Sequence, residues 1–257
     1  MGLSMAYLFA VLIILGSFVE SSDGNCESDT DETTWISIPN SSCNQKGQSP
    51  INIQTQSVVL NKSLGSFNFT GYSNCSKFKS IENNGHTVQV NLMNGVVVSG
   101  GGLSTTYNAT QLHFHWGNGS SVPGSEHTVY SKRYPMEMHV IYLKKIYSTT
   151  DQAQNDPEGL AVLAFFIEAG DNTATLEGWK NLTSFLKSVS KKVSPSMDNL
   201  LAGVNRGKYF RYKGSLTTPC CNETVVWTVF TEPVKVSRDL VSLFNFPPRF
   251  LGLVLMC

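Results

Sequence analysis

Five histidines are spread along the chain: His86, His113, His115, His127 and His139. Two stand two residues apart, in His113-Phe114-His115, within a segment that reads as a strand. Side chains on a strand alternate between faces, so residues two apart point the same way. Both imidazoles can then reach one ion. His139 lies in a second strand-like segment, Met136-Glu137-Met138-His139-Val140-Ile141, and an adjacent strand would bring it beside the pair. Three neutral imidazoles leave one tetrahedral position of Zn²⁺ open, the arrangement of a catalytic centre rather than a structural one. Imidazole also suits copper, nickel and iron, so spacing alone does not select the metal. The plainer alternative is a pair of ordinary half-buried strand histidines. Two neighbours favour the metal. Glu137 lies two residues before His139, and Gln111 has the same relation to His113. An oxygen at either position can accept a ring N–H and orient a ligand.

The elements that must position these groups are short. Val88–Leu92, Leu112–Trp116, Met136–Leu143, Ala161–Ile167 and Val225–Val229 are rich in Val, Ile and aromatics and read as strands. Asn83-Asn84-Gly85, Asn94-Gly95, Gly100–Gly102 and Gly117-Asn118-Gly119 are turn signals between them. Leu176–Val189 has helical spacing through Leu176, Trp179, Leu182 and Leu186, and Val236–Phe244 offers a second helix. No repeat, low-complexity tract or linker divides the chain. The expectation is one mainly β domain with short peripheral helices.

Composition narrows the function. Lys plus Arg and Asp plus Glu are 19 each, so the formal charge is zero and a nucleic-acid partner is not expected. Hydrophobic residues are 41% of the 257, enough for a core, which excludes a disordered chain. Charged residues are only 15%, so the surface must be solvated in another way. The first 19 residues carry no charge, and Ala6–Leu15 is apolar apart from Tyr7. That run is shorter than the ~20 residues of a membrane span. It reads as a signal peptide over residues 1–21, leaving 22–257 as the mature domain. Secretion agrees with two further features. Glycosylation sequons begin at Asn40, Asn61, Asn68, Asn74, Asn108, Asn118, Asn181 and Asn222, and glycans would solvate a charge-poor surface. Six cysteines (Cys26, Cys43, Cys75, Cys220, Cys221, Cys257) with no CxxC spacing suit disulfides rather than a thiolate zinc site. The apolar end Phe250–Cys257 is too short for a lipid-anchor signal and reads as a buried strand or an irregular end.

From about Trp35 to Phe244 the chain resembles the α-class carbonic anhydrases, in particular their secreted and membrane-attached branch. The resemblance is carried by Gln48-Ser49-Pro50-Ile51-Asn52, Asn83-Asn84-Gly85-His86, Gln111–Gly117 (QLHFHWG), Gly124–Val129 (GSEHTV), Glu137-Met138-His139, Pro157–Val162 (PEGLAV) and Ser215–Pro219 (SLTTP), running on to Trp227. It implies a large twisted, mostly antiparallel central sheet with short peripheral helices. It also implies reversible hydration of carbon dioxide to bicarbonate and a proton by a zinc-bound hydroxide. By this resemblance His113, His115 and His139 hold Zn²⁺, and Gln111 and Glu137 support them. Thr217 takes a hydrogen bond from the hydroxide and donates to Glu126, and Thr218 is a polar neighbour of the substrate. Ile141, Val162, Leu216 and Trp227 form an apolar wall for CO₂. His86 is the proton shuttle, since a histidine with its ordinary pKa near 6.5 can exchange protons at neutral pH. His127 braces Glu137, and Cys43 pairs with Cys221.

The chain departs from the family in three ways. The aromatic segment ahead of Trp35 is not recognisable. Cys220 stands where a proline is usual. The closing strand segment, which gives a zinc ligand one of its acceptors, is not found, and its loss implies lower stability and weaker zinc retention. Two other readings stay open at this level: a non-catalytic binding protein of the same fold, and a zinc hydrolase acting on esters. The implied location is extracellular, with membrane attachment left open.

Overall fold

The structure, a computed structural model, describes residues 32–117, 122–170, 173–187, 194–245 and 250–255. The expected signal segment at 1–21, the sequon at Asn118, and Cys26 and Cys257 lie outside the described residues. A short 3₁₀ turn at Glu32–Ser37 leads into twelve strands. They are β1 (Asn52–Ile53), β2 (Phe67–Thr70), β3 (Phe78–Asn83), β4 (Val88–Leu92), β5 (Val97–Gly100) and β6 (Tyr107–Trp116), then β7 (Thr128–Val129), β8 (Met136–Lys144), β9 (Leu160–Ala169), β10 (Tyr209–Gly214), β11 (Val225–Val236) and β12 (Phe250–Val254). Four helices are interspersed: α1 (Thr150–Ala153), α2 (Thr173–Lys187), α3 (Met197–Leu200) and α4 (Arg238–Ser242).

Ten strands form one sheet, ordered β10-β11-β9-β8-β6-β4-β3-β12, with β5 on β6 and β2 on β5. All its pairs are antiparallel except β9–β11. This is the mostly antiparallel architecture the resemblance implies. The apolar end, for which a strand or an irregular end was open, forms β12 against β3. The second helix is shorter than expected. Val234 and Val236 are β-branched and buried, so the chain stays extended through Val236 and turns only at Ser237. Among the described residues no helix is long and apolar enough to cross a membrane.

The sheet separates two cores. β9 is apolar over nearly its whole length because both of its faces are covered. On one face Leu112, Phe114, Met138, Val140, Leu163, Phe165 and Phe230 pack with Trp179 of α2 and with Phe244. The Trp179 Nε1–H donates to the Leu200 carbonyl at 3.1 Å, tying α2 to α3. On the other face Ile53, Val162, Ala164, Phe166, Trp227 and Val229 form a smaller cluster. The histidines belong to this second face.

A register shift between Ala109 and Gln111 decides how β6 presents its side chains. Tyr107 and Ala109 belong to the helix-covered core. Beyond the shift, Leu112 and Phe114 take over that face, which turns Gln111, His113 and His115 to the opposite side.

Candidate metal centre

Strand register assembles the centre row by row. His113 on β6 stands opposite His139 on β8, and His115 stands opposite Glu137. The neighbouring row runs Gln111, Ile141, Val162, Trp227 and Tyr212 across β6, β8, β9, β11 and β10. Rows two residues apart share a face. The imidazoles and the expected apolar wall are therefore adjacent on one surface. Ile141 and Leu216 pack against the cluster that contains Val162 and Trp227.

Three ring nitrogens converge. His113 Nε2 is 3.1 Å from His115 Nε2, and His115 Nε2 is 3.1 Å from His139 Nδ1. Each ring's other nitrogen faces an oxygen. Gln111 Oε1 is 2.8 Å from His113 Nδ1, and Glu137 Oε1 is 2.7 Å from His139 Nε2. Glu126 Oε1 is 3.3 Å from His115 Nδ1. An acceptor at each outer nitrogen places the ring proton there and leaves the inner nitrogen with its lone pair. Three lone pairs directed at one small volume repel one another and invite a cation. A tetrahedral zinc with bonds of 2.0–2.1 Å requires nitrogens about 3.3 Å apart, close to the spacing found.

The surroundings keep the rings neutral. Burial, reinforced by His139, lowers the His113 pKa to about 3. Burial, then His139 and His113, hold His115 well below the usual histidine range. Burial also lowers His139, against the opposing pull of Glu137. Neutral imidazole is the form that binds metal. Burial alone would raise the Glu137 carboxyl, but His139 and His127 outweigh it and hold it below the ordinary carboxylate range.

Behind the three imidazoles runs a buried chain of hydrogen bonds. Glu137 is fully buried, and its Oε1 also lies 2.6 Å from His127 Nδ1. Its Oε2 accepts the His127 backbone N–H at 2.9 Å. His127 Nε2 meets the Tyr212 hydroxyl at 2.6 Å, and Tyr212 donates to Ser49 Oγ at 2.9 Å. Ser49 Oγ in turn accepts from the Ser215 N–H at 3.1 Å, at the head of the Ser215–Pro219 segment. The Trp227 Nε1–H donates to the Ser215 carbonyl at 3.0 Å, while its ring lies 4.9 Å from that of His139. Sequence reading gave Ser49 and Tyr212 no role. Ser49 was visible only within the Gln48–Asn52 motif, whose purpose depends on contacts more than 160 residues apart, and Tyr212 left no signal.

The remaining candidates sit on turns and loops. Thr217 and Thr218 occupy the turn between β10 and β11, closed by Leu216 N–H to Asn222 O and Cys221 N–H to Thr218 O, both 3.0 Å. Cys43 and Cys221 form a disulfide that ties this turn to the chain 178 residues earlier. Cys75 and Cys220 are disulfide-bonded as well. Glu126 is directed at the imidazoles, with Oε2 also 3.8 Å from His139 Nδ1. Its segment approaches closely because Gly124 packs on the backbone of Trp116 and Gly117, where a Cβ would collide. His86 is exposed on the turn between β3 and β4. Asn84 Oδ1 accepts the N–H groups of His86 and Thr87, and Thr87 Oγ1 donates to the Phe114 carbonyl at 2.6 Å. The turn carrying His86 is thus fastened between the two histidines of β6.

A profile of the eukaryotic-type carbonic anhydrase family matches residues 30–246. Carbonic anhydrase 4 of Oryctolagus cuniculus is 42% identical over 210 residues, covering 79% of this chain and 67% of the relative. Carbonic anhydrase 12 of Homo sapiens is 38% identical over 218 residues, covering 81% of this chain and 59% of the relative. Carbonic anhydrase 6 of Homo sapiens is 37% identical over 252 residues, covering 93% and 79%. Against carbonic anhydrase 4 of Rattus norvegicus and Mus musculus, the match spans 65% and 64% of the relative, slightly under two-thirds.

Proposed function

Because the chain belongs to the eukaryotic-type carbonic anhydrase family, we propose that it catalyses the reversible hydration of carbon dioxide at a zinc ion held by His113, His115 and His139. The observation that carries this reading is the convergence of three inner nitrogens, with His115 Nε2 3.1 Å from each of the other two and every outer nitrogen facing an oxygen. That donor set fits Zn²⁺ and leaves a fourth position for solvent. When bound, zinc lowers the pKa of a coordinated water to about 7, so hydroxide is available without strong base.

The chain's own groups do the rest. Gln111, Glu137 and Glu126 hold the outer ring protons and aim the inner nitrogens. Ile141, Val162, Leu216 and Trp227 offer CO₂, which has no net dipole, an apolar surface beside the ligands. Thr217 orients the attacking oxygen by accepting its hydrogen bond, with Glu126 as acceptor for the threonine hydroxyl, and Thr218 lies beside the substrate. This assignment is supported by the Ser215–Pro219 motif and by the position of the Glu126 carboxylate beside two ligands. His86 receives the product proton at the rim and passes it to buffer.

The apolar leader, free of charged side chains over its first 19 residues, the Cys43–Cys221 disulfide and the exposed sequon residues Asn40, Asn61, Asn68 and Asn74 support a secreted or cell-surface protein that carries glycans.

Stopped-flow CO₂ hydration with and without a zinc chelator tests the reading. Activity is expected to vanish on chelation and return on adding Zn²⁺. A zinc-replete protein with no hydration activity would instead establish a non-catalytic binding protein. His86→Ala is expected to lower kcat by about ten- to a hundredfold, leave KM nearly unchanged, and be rescued by imidazole buffer. An unchanged kcat in weak buffer removes His86 from the proton path.

A further inference from the structure

We propose that a pocket around Arg211, on the sheet face opposite the histidines, binds an organic carboxylate. Side chains alternate along β10. Tyr212 reaches His127 on the metal side, so Arg211 and Lys213 face the other way. There they line a cavity of about 330 Å³ whose apolar walls include Leu64, Leu103 and Val226.

Arg211 lines this cavity, and its head group keeps donors for an anion. Its Nε–H and one Nη2–H both donate to the neutral Thr228 hydroxyl, at 3.2 and 2.9 Å. Its Cζ lies 5.6 Å from the ring centres of both Phe67 and Tyr209, which brace the guanidinium through their π faces. A guanidinium has five N–H donors, so three remain. No carboxylate among the described residues pairs with them. Glu158 also lines the pocket, but Lys213 Nζ holds it at 2.9 Å. With Glu158 and Lys213 cancelling, the pocket keeps the charge of Arg211.

These features define the ligand. A planar fork with free donors matches a carboxylate in two parallel hydrogen bonds. The volume exceeds what a small inorganic anion fills, and the leucine and valine walls suit a hydrocarbon body. The pocket therefore fits a carboxylate attached to a small apolar group.

Isothermal titration of the zinc-loaded protein with benzoate tests this. Carboxylates also bind zinc, so the metal centre counts as a separate site. The wild type is expected to bind one more benzoate than Arg211→Met, or to bind the shared equivalent about tenfold or more tightly. Arg211→Met should keep its CO₂ hydration rate in the absence of benzoate. Leu103→Trp fills the pocket without altering its charge and is expected to lose the same equivalent. Inorganic phosphate should compete only weakly. Wild-type benzoate binding in both variants overturns the proposal. So does phosphate binding as tightly as benzoate, which would mark a merely electrostatic surface.

Discussion

His113→Ala is expected to reduce bound zinc from about one equivalent to a small fraction and to cut CO₂ hydration by about a thousandfold or more, because the nucleophile at neutral pH depends on the metal. This variant separates the metal from the fold. His113 is half-buried, and its outer nitrogen meets only the neutral amide of Gln111. Its removal therefore strands no buried charge, and the apo-protein should keep the wild-type apo unfolding midpoint to within a few degrees. His139→Ala is a harsher change, since it removes a partner of the buried Glu137 carboxylate. Metal analysis of dialysed protein and stopped-flow rates provide the measurement. Full zinc occupancy with wild-type rates in His113→Ala would refute the three-imidazole centre.

Glu137→Ala is expected to be the most damaging single change away from the ligands themselves. The carboxylate is fully buried and serves His127 through both oxygens and His139 through one. Its removal leaves the His127 backbone N–H and two ring N–H groups without an acceptor in a dry interior. Leaving a buried donor unsatisfied costs about 1–3 kcal/mol, so the three together cost at least about 3–5 kcal/mol. For a domain of this size that lowers Tm by roughly 6–20 °C. Metal affinity should fall by about ten- to a hundredfold, because the tautomer and aim of His139 are no longer held. Calorimetric unfolding and competition for zinc with a graded chelator read the two effects separately. A Tm within about a degree of wild type, with unchanged zinc affinity, would show that Glu137 supports neither fold nor ligand.

The two variants mark different depths of legibility. His113 and His115 were visible as a pair because strand alternation is a local rule that needs no partner strand. The relations of Gln111 to His113 and of Glu137 to His139 were visible for the same reason. The helix near Leu176 was also legible from its spacing, and it forms as α2. What local pattern could not supply was register. His139 joins the pair only because β8 pairs with β6 so that 113 faces 139, and a slip of one residue would turn it to the opposite core. The shift at Ala109–Gln111, which sets the face of everything that follows on β6, shows in the sequence only as a phase slip of the apolar positions from 107 and 109 to 112 and 114, and lies ahead of the Leu112–Trp116 stretch read as a strand.

By itself, then, the sequence determined the donor types, their common strand faces, the mainly β class and, through its motifs, the family. Tertiary structure alone decided that Glu126 faces His115, that Tyr212 and Ser49 extend the Glu137 network, and that Arg211 opens into a cavity on the far side. The physical reason is one of range. Alternation and turn chemistry act over a few residues, whereas these contacts join segments brought together only when the sheet closes. Their geometry is set by packing and pairing across the whole domain.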